Sequence, residues 1–327
     1  MRTKQEILAA IAPDLEKIEK TLSQNFASYV PFINEVSRHI LFAGGKRLRP
    51  LLMVLSARLC GEPTSPRTYR LSVLFEYLHA ATLLHDDVVD GAQFRRGRKA
   101  AHHLWGNQAV ILVGDFLYSR AIRIAVEEGN MDVLDVISET TTLMSEGEVL
   151  QLINLDNVEL TEESYFEVIF RKTAALMAAA CEVGAIHARG NSWERPALKA
   201  FGTYLGYAFQ ITDDLLDYLG AKDETGKDIG TDFKEGKVTL PYIIAMERAN
   251  PADREELIAL IKEKEAATPE NFRRACELLE KYDAFDATRQ KAREFVDKAC
   301  EELARFDHSP TRELLTDIAQ YVLTRKS

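Results

Sequence analysis

The sequence has no CxxC pair, no apolar run long enough to span a bilayer, no excess of basic charge and no Gly/Ser-rich linker. Each absence removes a class of reading. Cys60, Cys181, Cys276 and Cys300 are scattered without framework spacing, so reduced thiols in a cytoplasmic protein are expected. The most apolar long stretch, Ala174 to Ala188, carries Glu182 and His187 and is too short to cross a membrane. The start, MRTKQEILAAIAPDLEKIEK, is charged and amphipathic rather than a secretory signal. A net charge of −10 argues against nucleic acid as the main partner, because no basic stripe collects phosphates. Strand alternation flanked by hairpin turns is also lacking.

What is present is helical periodicity over a chain of 327 residues, 46% apolar, enough to bury a substantial core. Ile7, Leu8, Ile11, Leu15, Ile18 and Leu22 line one side of a helix from about Gln5 to Gln24. Others are expected near Phe32–Phe42, from the turn at Pro50 to about Gly61, and over Asn107–Glu128, Asp132–Ile153 and Glu194–Leu219. Thr161 is a candidate N-cap with an incomplete capping box, and Asn250, Thr268 and Ser309 stand before prolines as further caps. No composition shift divides the chain, so one all-α domain over residues 1–327, with ten or more helices, is expected.

The stretch Glu76–Gly97, EYLHAATLLHDDVVDGAQFRRG, organises the rest. It reads as the end of a long apolar helix with Asp86 and Asp90 on one face and Asp87 beside them. Carboxylates this close repel one another, and the helix C-terminus adds to the cost, so the cluster is a candidate cation site. Arg95 and Arg96 follow, suited to forked contacts with phosphate oxygens. A lone DDxxD is weak evidence, but Asp213, Asp214 and Asp217 repeat the spacing in QITDDLLDYL. Two apolar helices ending in the same acids are hard to explain as solvated charge. Mg²⁺ takes oxygen ligands from one or two carboxylates plus substrate phosphates, which suits a diphosphate made ready to leave.

Blander readings exist for several residues. A lone histidine such as His79 in an apolar helix is more often structural, and Lys46–Arg49 taken alone reads equally as a solvated turn. His85, His102 and His103 lack partners at transition-metal spacing. Phe201, Tyr204, Tyr207 and Phe209 read as core and dimer packing, and Asp232, Lys234 and Glu235 as loop surface. The polar loop Ala221–Lys237 reads as a lid over bound diphosphate.

Taken together, GGKRLRP at Gly44–Pro50, LLHDDVVD at Leu83–Asp90, RRG at Arg95–Gly97, VGDFLYSRA at Val113–Ala121, GEVLQL at Gly147–Leu152, KTA at Lys172–Ala174, FQITDDLLD at Phe209–Asp217 and GKVTLP at Gly236–Pro241 resemble the trans-isoprenyl (polyprenyl) diphosphate synthases, in that family's order and over nearly the whole chain. The octaprenyl type of member is the most similar. The resemblance implies that Asp86, Asp87, Asp90, Asp213, Asp214 and Asp217 hold Mg²⁺, about three ions per site, on an allylic diphosphate. It implies that Lys46, Arg49, His79 and Arg96 bind isopentenyl diphosphate, while Arg95, Lys172, Lys227 and Lys237 contact the allylic diphosphate. Thr173 and Gln210 fall beside the nascent cation, and the departing diphosphate serves as the base. It also implies a homodimer whose product passes to a membrane. A terpene cyclase, a head-to-head condensing enzyme and a non-catalytic partner subunit are the alternatives. The basic set favours elongation over the first two, and the intact acid motifs over the third.

Product length follows from helix geometry. Thr82 and Ala81 lie about one turn, ~5–6 Å, before Asp86. In the family a bulky aromatic there stops growth early, whereas both side chains here are small, and no two-residue insertion separates Asp87 from Asp90. Leu78 and Phe75 lie deeper, and a floor is expected from a neighbouring helix such as that of Phe116. A long product, near forty carbons from a farnesyl starter, is the expectation; farnesyl- or geranylgeranyl-length products are the alternative.

Overall fold

The computed structural model describes residues 2–220, 230–262 and 268–325, and the protein is all-α. Lys227 and residues 221–229 of the expected lid lie outside the described residues. Contacts divide the chain into two compact units. The first takes Met1–Glu139, Leu176–Lys199 and Arg305–Asp317; the second takes Thr140–Ala175, Ala200–Ala304 and Ile318–Ser327. Neither is a contiguous stretch, which agrees with the absence of a linker in the sequence.

In the first unit, α1 (Lys4–Asn25) opens on a capping box. The Thr3 hydroxyl accepts the Glu6 N–H at 3.3 Å, and the Glu6 carboxylate accepts the Thr3 N–H at 2.8 Å. Ile7, Ile11, Ile18 and Leu22 are buried, as the periodicity requires. Helices α2 (Pro31–Leu41) and α3 (Leu48–Leu59) follow. Helix α4 (Pro66–Val89) starts on a reciprocal Ser65–Thr68 cap and is buried on every side from Leu71 to Leu78, packed among α1, α2, α3 and α6. A helix apolar all round belongs at the centre of its unit. The acid motif therefore sits at the end of a helix enclosed by its neighbours in this unit.

A two-stranded hairpin, β1 (Phe94–Arg95) with β2 (Arg98–Lys99), follows α4 and corrects the expectation of no hairpin. Its turn residues, Arg96 and Gly97, both have left-handed φ, 52° and 73°, as a type I′ turn requires. Strands of two residues are too short to give an alternation signal. The short α5 (Ala101–Trp105) leads into α6 (Asn107–Glu128), whose observed ends match those expected, and α7 (Met131–Ile153).

In α8 (Glu162–Ile169), the Thr161 hydroxyl accepts the Ser164 N–H at 3.2 Å, so the cap forms without a complete box. One π-helical turn, Phe170–Ala174, separates it from α9 (Ala175–His187). The second acid motif closes α10 (Glu194–Leu219). Then come α11 (Thr231–Lys234), α12 (Leu240–Arg248), α13 (Pro251–Lys262), α14 (Pro269–Lys281), α15 (Ala284–Ala304) and α16 (Pro310–Val322). The expected caps Asn250, Thr268 and Ser309 accept the N–H groups of Asp253, Asn271 and Arg312 at 3.0, 3.2 and 3.2 Å. No helix among the described residues is long and apolar enough to cross a membrane.

Candidate active site

The first acid cluster lies in the first unit, where α4 ends. Asp90 is its C-cap, with its N–H donating to the Asp86 carbonyl at 2.8 Å, so Asp86 and Asp90 stay one turn apart on the helix. Asp87 is fully buried and accepts the Arg95 Nε–H at 2.7 Å, with a second Arg95 contact to the same oxygen. Its other oxygen, Oδ2, is buried with no hydrogen-bond partner among the described residues. The hairpin thus returns Arg95 onto the acid motif and sends Arg96 elsewhere, to the carbonyl of Gly44. That contact ties the RRG turn to the GGKRLRP loop.

Between these two features lies His79. Burial, and then the guanidiniums of Arg49, Arg96, Arg95 and Arg47, hold its imidazole well below the usual histidine range. It is therefore neutral, offering a donor and an acceptor without a further positive charge. Lys46 is exposed, while Arg49 and His79 are half-buried. Four of the residues expected to bind isopentenyl diphosphate, Lys46, Arg49, His79 and Arg96, belong to this one basic neighbourhood of the first unit.

The second acid cluster lies in the second unit. The Asp213 carboxylate meets Arg325 at 2.6 Å; Arg325 also lies over the Phe209 ring, 3.8 Å from its centroid, and donates to the Phe209 carbonyl at 2.6 Å. Asp214 is buried, accepting from the Tyr165 hydroxyl at 2.5 Å and from the Gln210 amide at 2.8 Å. Burial raises its carboxyl well above the usual range, Asp232 adds to this, and the Tyr165 and Gln210 hydrogen bonds partly offset it. Gln210 in turn accepts from the Thr173 hydroxyl at 2.8 Å, so two residues expected beside the nascent cation are bonded to each other and to the acid motif. Asp217 accepts the N–H groups of Thr231 and Asp232 at 3.1 and 3.0 Å, anchoring the start of α11.

Lys172 and Thr173 sit in the π turn. Such a turn inserts one residue's worth of rotation and re-aims the side chains that follow, a device frequent at functional sites. Gly147 of the GEVLQL motif packs against it, where an added Cβ would lie 2.8 Å from the Lys172 nitrogen. Lys172 meets Glu148 at 2.7 Å, and Lys237 meets Glu235 at 2.5 Å. Tyr165, Glu148 and Arg325 were not expected from the sequence. Arg325 lies 116 residues from Phe209, and no local spacing signal connects them.

Among the described residues, no three His, Cys, Asp or Glu side chains converge as a metal-binding group. The acid oxygens are instead engaged by Arg95, Arg325, Tyr165, Gln210 and backbone amides. In the first cluster the buried, orphaned Oδ2 of Asp87 is a hard carboxylate oxygen of the kind that suits a divalent cation taking its remaining ligands from water and phosphate.

The polyprenyl synthetase family profile matches residues 30–279. Octaprenyl diphosphate synthase of Escherichia coli (strain K12) is 38% identical over 325 residues, covering 98% of each chain. The solved polyprenyl synthase of Caulobacter crescentus CB15, complexed with calcium and isoprenyl diphosphate, superposes with a TM-score of 0.93 at 40% identity over 100% of both chains. The decaprenyl diphosphate synthase of Rhodobacter capsulatus gives 0.92 at 40% identity, covering 99% of each.

Proposed function

The chain belongs to the polyprenyl synthetase family, and from that premise we propose that it condenses isopentenyl diphosphate with an allylic diphosphate, farnesyl diphosphate as starter, to a long-chain all-trans polyprenyl diphosphate. A divalent metal belongs to this chemistry; we propose Mg²⁺, which when bound draws negative charge off the allylic diphosphate and makes it a leaving group. Asp86, Asp87, Asp90, Asp213, Asp214 and Asp217 are the carboxylates proposed to hold it. Arg95, Lys172 and Lys237, with Lys227, are assigned to the allylic diphosphate. Thr173 and Gln210 orient their dipoles beside the carbon that becomes electron-poor. Lys46, Arg49, His79 and Arg96 bind the second diphosphate, which must stay intact while its double bond attacks.

The observation that carries elongation over cyclisation is the contact of Arg96 with the Gly44 carbonyl, which brings the RRG turn and the Lys46–Arg49 loop together as one basic set. It supports a second anion pocket, and a cyclase has no use for one. The test is release of inorganic diphosphate by the purified chain with Mg²⁺. Elongation requires both substrates together. A cyclase releases diphosphate from the allylic substrate alone, and a non-catalytic subunit releases none.

The division of labour gives a prediction. Arg96→Ala and Lys46→Ala should each raise KM for isopentenyl diphosphate about ten- to hundredfold, the worth of one charge-assisted hydrogen bond, with a smaller effect on the allylic KM. Lys172→Ala should do the reverse and also lower kcat. Steady-state kinetics with each substrate varied in turn check this, and equal effects on both substrates in all three variants would contradict the assignment.

A homodimer is proposed as well, supported by an outward stripe on α6, with Ile111, Tyr118 and Val126 exposed at 41%, 36% and 49%. Exposed apolar residues aligned on one helix face mark an interaction surface. Sedimentation should give twice the monomer mass, and Ile111→Asp with Val126→Asp should reduce it to one; a monomeric unaltered protein would overturn the reading.

A further inference from the structure

Arg47 is buried, 4% exposed, although Lys46 before it is exposed and Arg49 after it is half-buried. It occupies the N-cap position of α3 with a left-handed φ of 49°, a conformation that a non-glycine residue keeps only where its surroundings over-determine it. Those surroundings are specific. Its Nε–H reaches Glu19 at 2.6 Å, its Nη1 reaches the buried Glu76 at 2.6 Å, and its Nη2 donates to the carbonyl of Leu41. Glu76 lies on the same stripe of α4 as His79, Leu83 and Asp87. The guanidinium is therefore fastened at one end of the stripe that leads to the acid motif.

The loop is also constrained at Gly45. A Cβ on Gly45 would lie 2.9 Å from Arg96 Nη1 and 3.0 Å from Arg47 Nη1, so the tips of both guanidiniums approach the same side of the loop backbone at Gly45. Guanidiniums gathered around one imidazole repel one another, and an unneutralised set would spread before any anion arrived. Burial disfavours the Arg47 charge, but Glu76 and Glu19 outweigh it and hold the guanidinium above its ordinary range. Arg47 is thus a cation already matched within the protein.

We propose that the Arg47–Glu76 ion pair is a positioning clamp for the isopentenyl diphosphate pocket. It fixes the loop Gly44–Arg49 against α4 so that Lys46, Arg49 and Arg96 present their charges to one diphosphate, and it touches no substrate itself. This rests on the reading of Lys46, Arg49 and Arg96 as that pocket, and it adds the two residues that hold the pocket in shape. Placement errors of an ångström in such a site cost up to about a hundredfold.

The experiment measures KM for each substrate, kcat and the thermal midpoint for Glu76→Gln, for the double variant Arg47→Met/Glu76→Gln, and for Lys46→Ala as the marker of the pocket. Glu76→Gln should raise KM for isopentenyl diphosphate about tenfold or more while changing the allylic KM less than about threefold. The double variant removes both buried charges, so its thermal midpoint should return toward that of the unaltered protein while the KM defect remains. Recovery of the KM together with the midpoint would make the pair a stability device and overturn the clamp. So would a normal KM in both variants while Lys46→Ala raises it. If Lys46→Ala leaves that KM unchanged, the pocket reading fails, and the clamp fails with it.

Discussion

Asp86→Ala and Asp213→Ala should each lower turnover by about three orders of magnitude or more with both substrates saturating, while the fold persists. The reason is that each carboxylate serves charge neutralisation at the reacting diphosphate and little packing. Asp86 is half-buried on the last turn of α4, and Asp213 is 40% exposed at its side chain. Removing Asp213 takes its carboxylate partner from Arg325, whose side chain is 4% exposed, so some stability should be lost, while the Phe209 ring and carbonyl still hold the guanidinium. Asp87→Ala is the instructive contrast. Its carboxylate is buried against Arg95, and deleting one partner of such a pair costs about 3–5 kcal/mol, so this variant should lose stability as well as turnover. Circular dichroism melts beside the kinetics separate the two cases. Near-normal turnover in either Asp86→Ala or Asp213→Ala would sink the two-cluster mechanism.

Ala81→Phe should shorten the product to about twenty or twenty-five carbons while preserving the first condensation. Ala81 is 1% exposed and sits about one helical turn, ~5–6 Å, from Asp86 toward the start of α4. Thr82 beside it folds its hydroxyl back onto the carbonyl of His79 at 2.9 Å, so it presents mainly a methyl group. The next obstacles along the helix, Leu78 and Phe75, are buried one and two turns deeper. We propose on this ground a product near forty carbons for the unaltered protein. A phenyl ring at position 81 enters space now held by a methyl group, and overpacking of that kind costs about 1–3 kcal/mol, which a chain with this much buried core can absorb. Mass analysis of extracted products decides the matter: an unchanged product distribution in Ala81→Phe would show that growth takes another path.

The parts of this fold that were legible in the sequence are those whose signals are local. The ends of α6 and α10 follow from apolar spacing, and the caps at Thr161, Thr268 and Ser309 from a hydroxyl before the first turn. Both acid motifs read directly, because the side chains four apart on a helix share a face whatever the tertiary structure. What was not legible depends on partners distant in the chain. Arg325 acquires its place from Asp213 and Phe209, and Arg47 from Glu19 and Glu76, which no spacing rule connects. The π turn at Phe170–Ala174 and the hairpin at Arg95–Arg98 each bend the backbone over a few residues, too few to leave a periodic trace. The residues that aim the expected site were therefore harder to find than the residues that form it.

The most direct test of the account is the mass of what the unaltered protein releases. Purified chain, Mg²⁺, farnesyl diphosphate and an excess of isopentenyl diphosphate should yield, after phosphatase treatment, chiefly all-trans prenyl alcohols near forty carbons, and no alcohol longer than the starter when either substrate or the metal is withheld. Release of mainly twenty-carbon products, or of a cyclic hydrocarbon from farnesyl diphosphate alone, would contradict it.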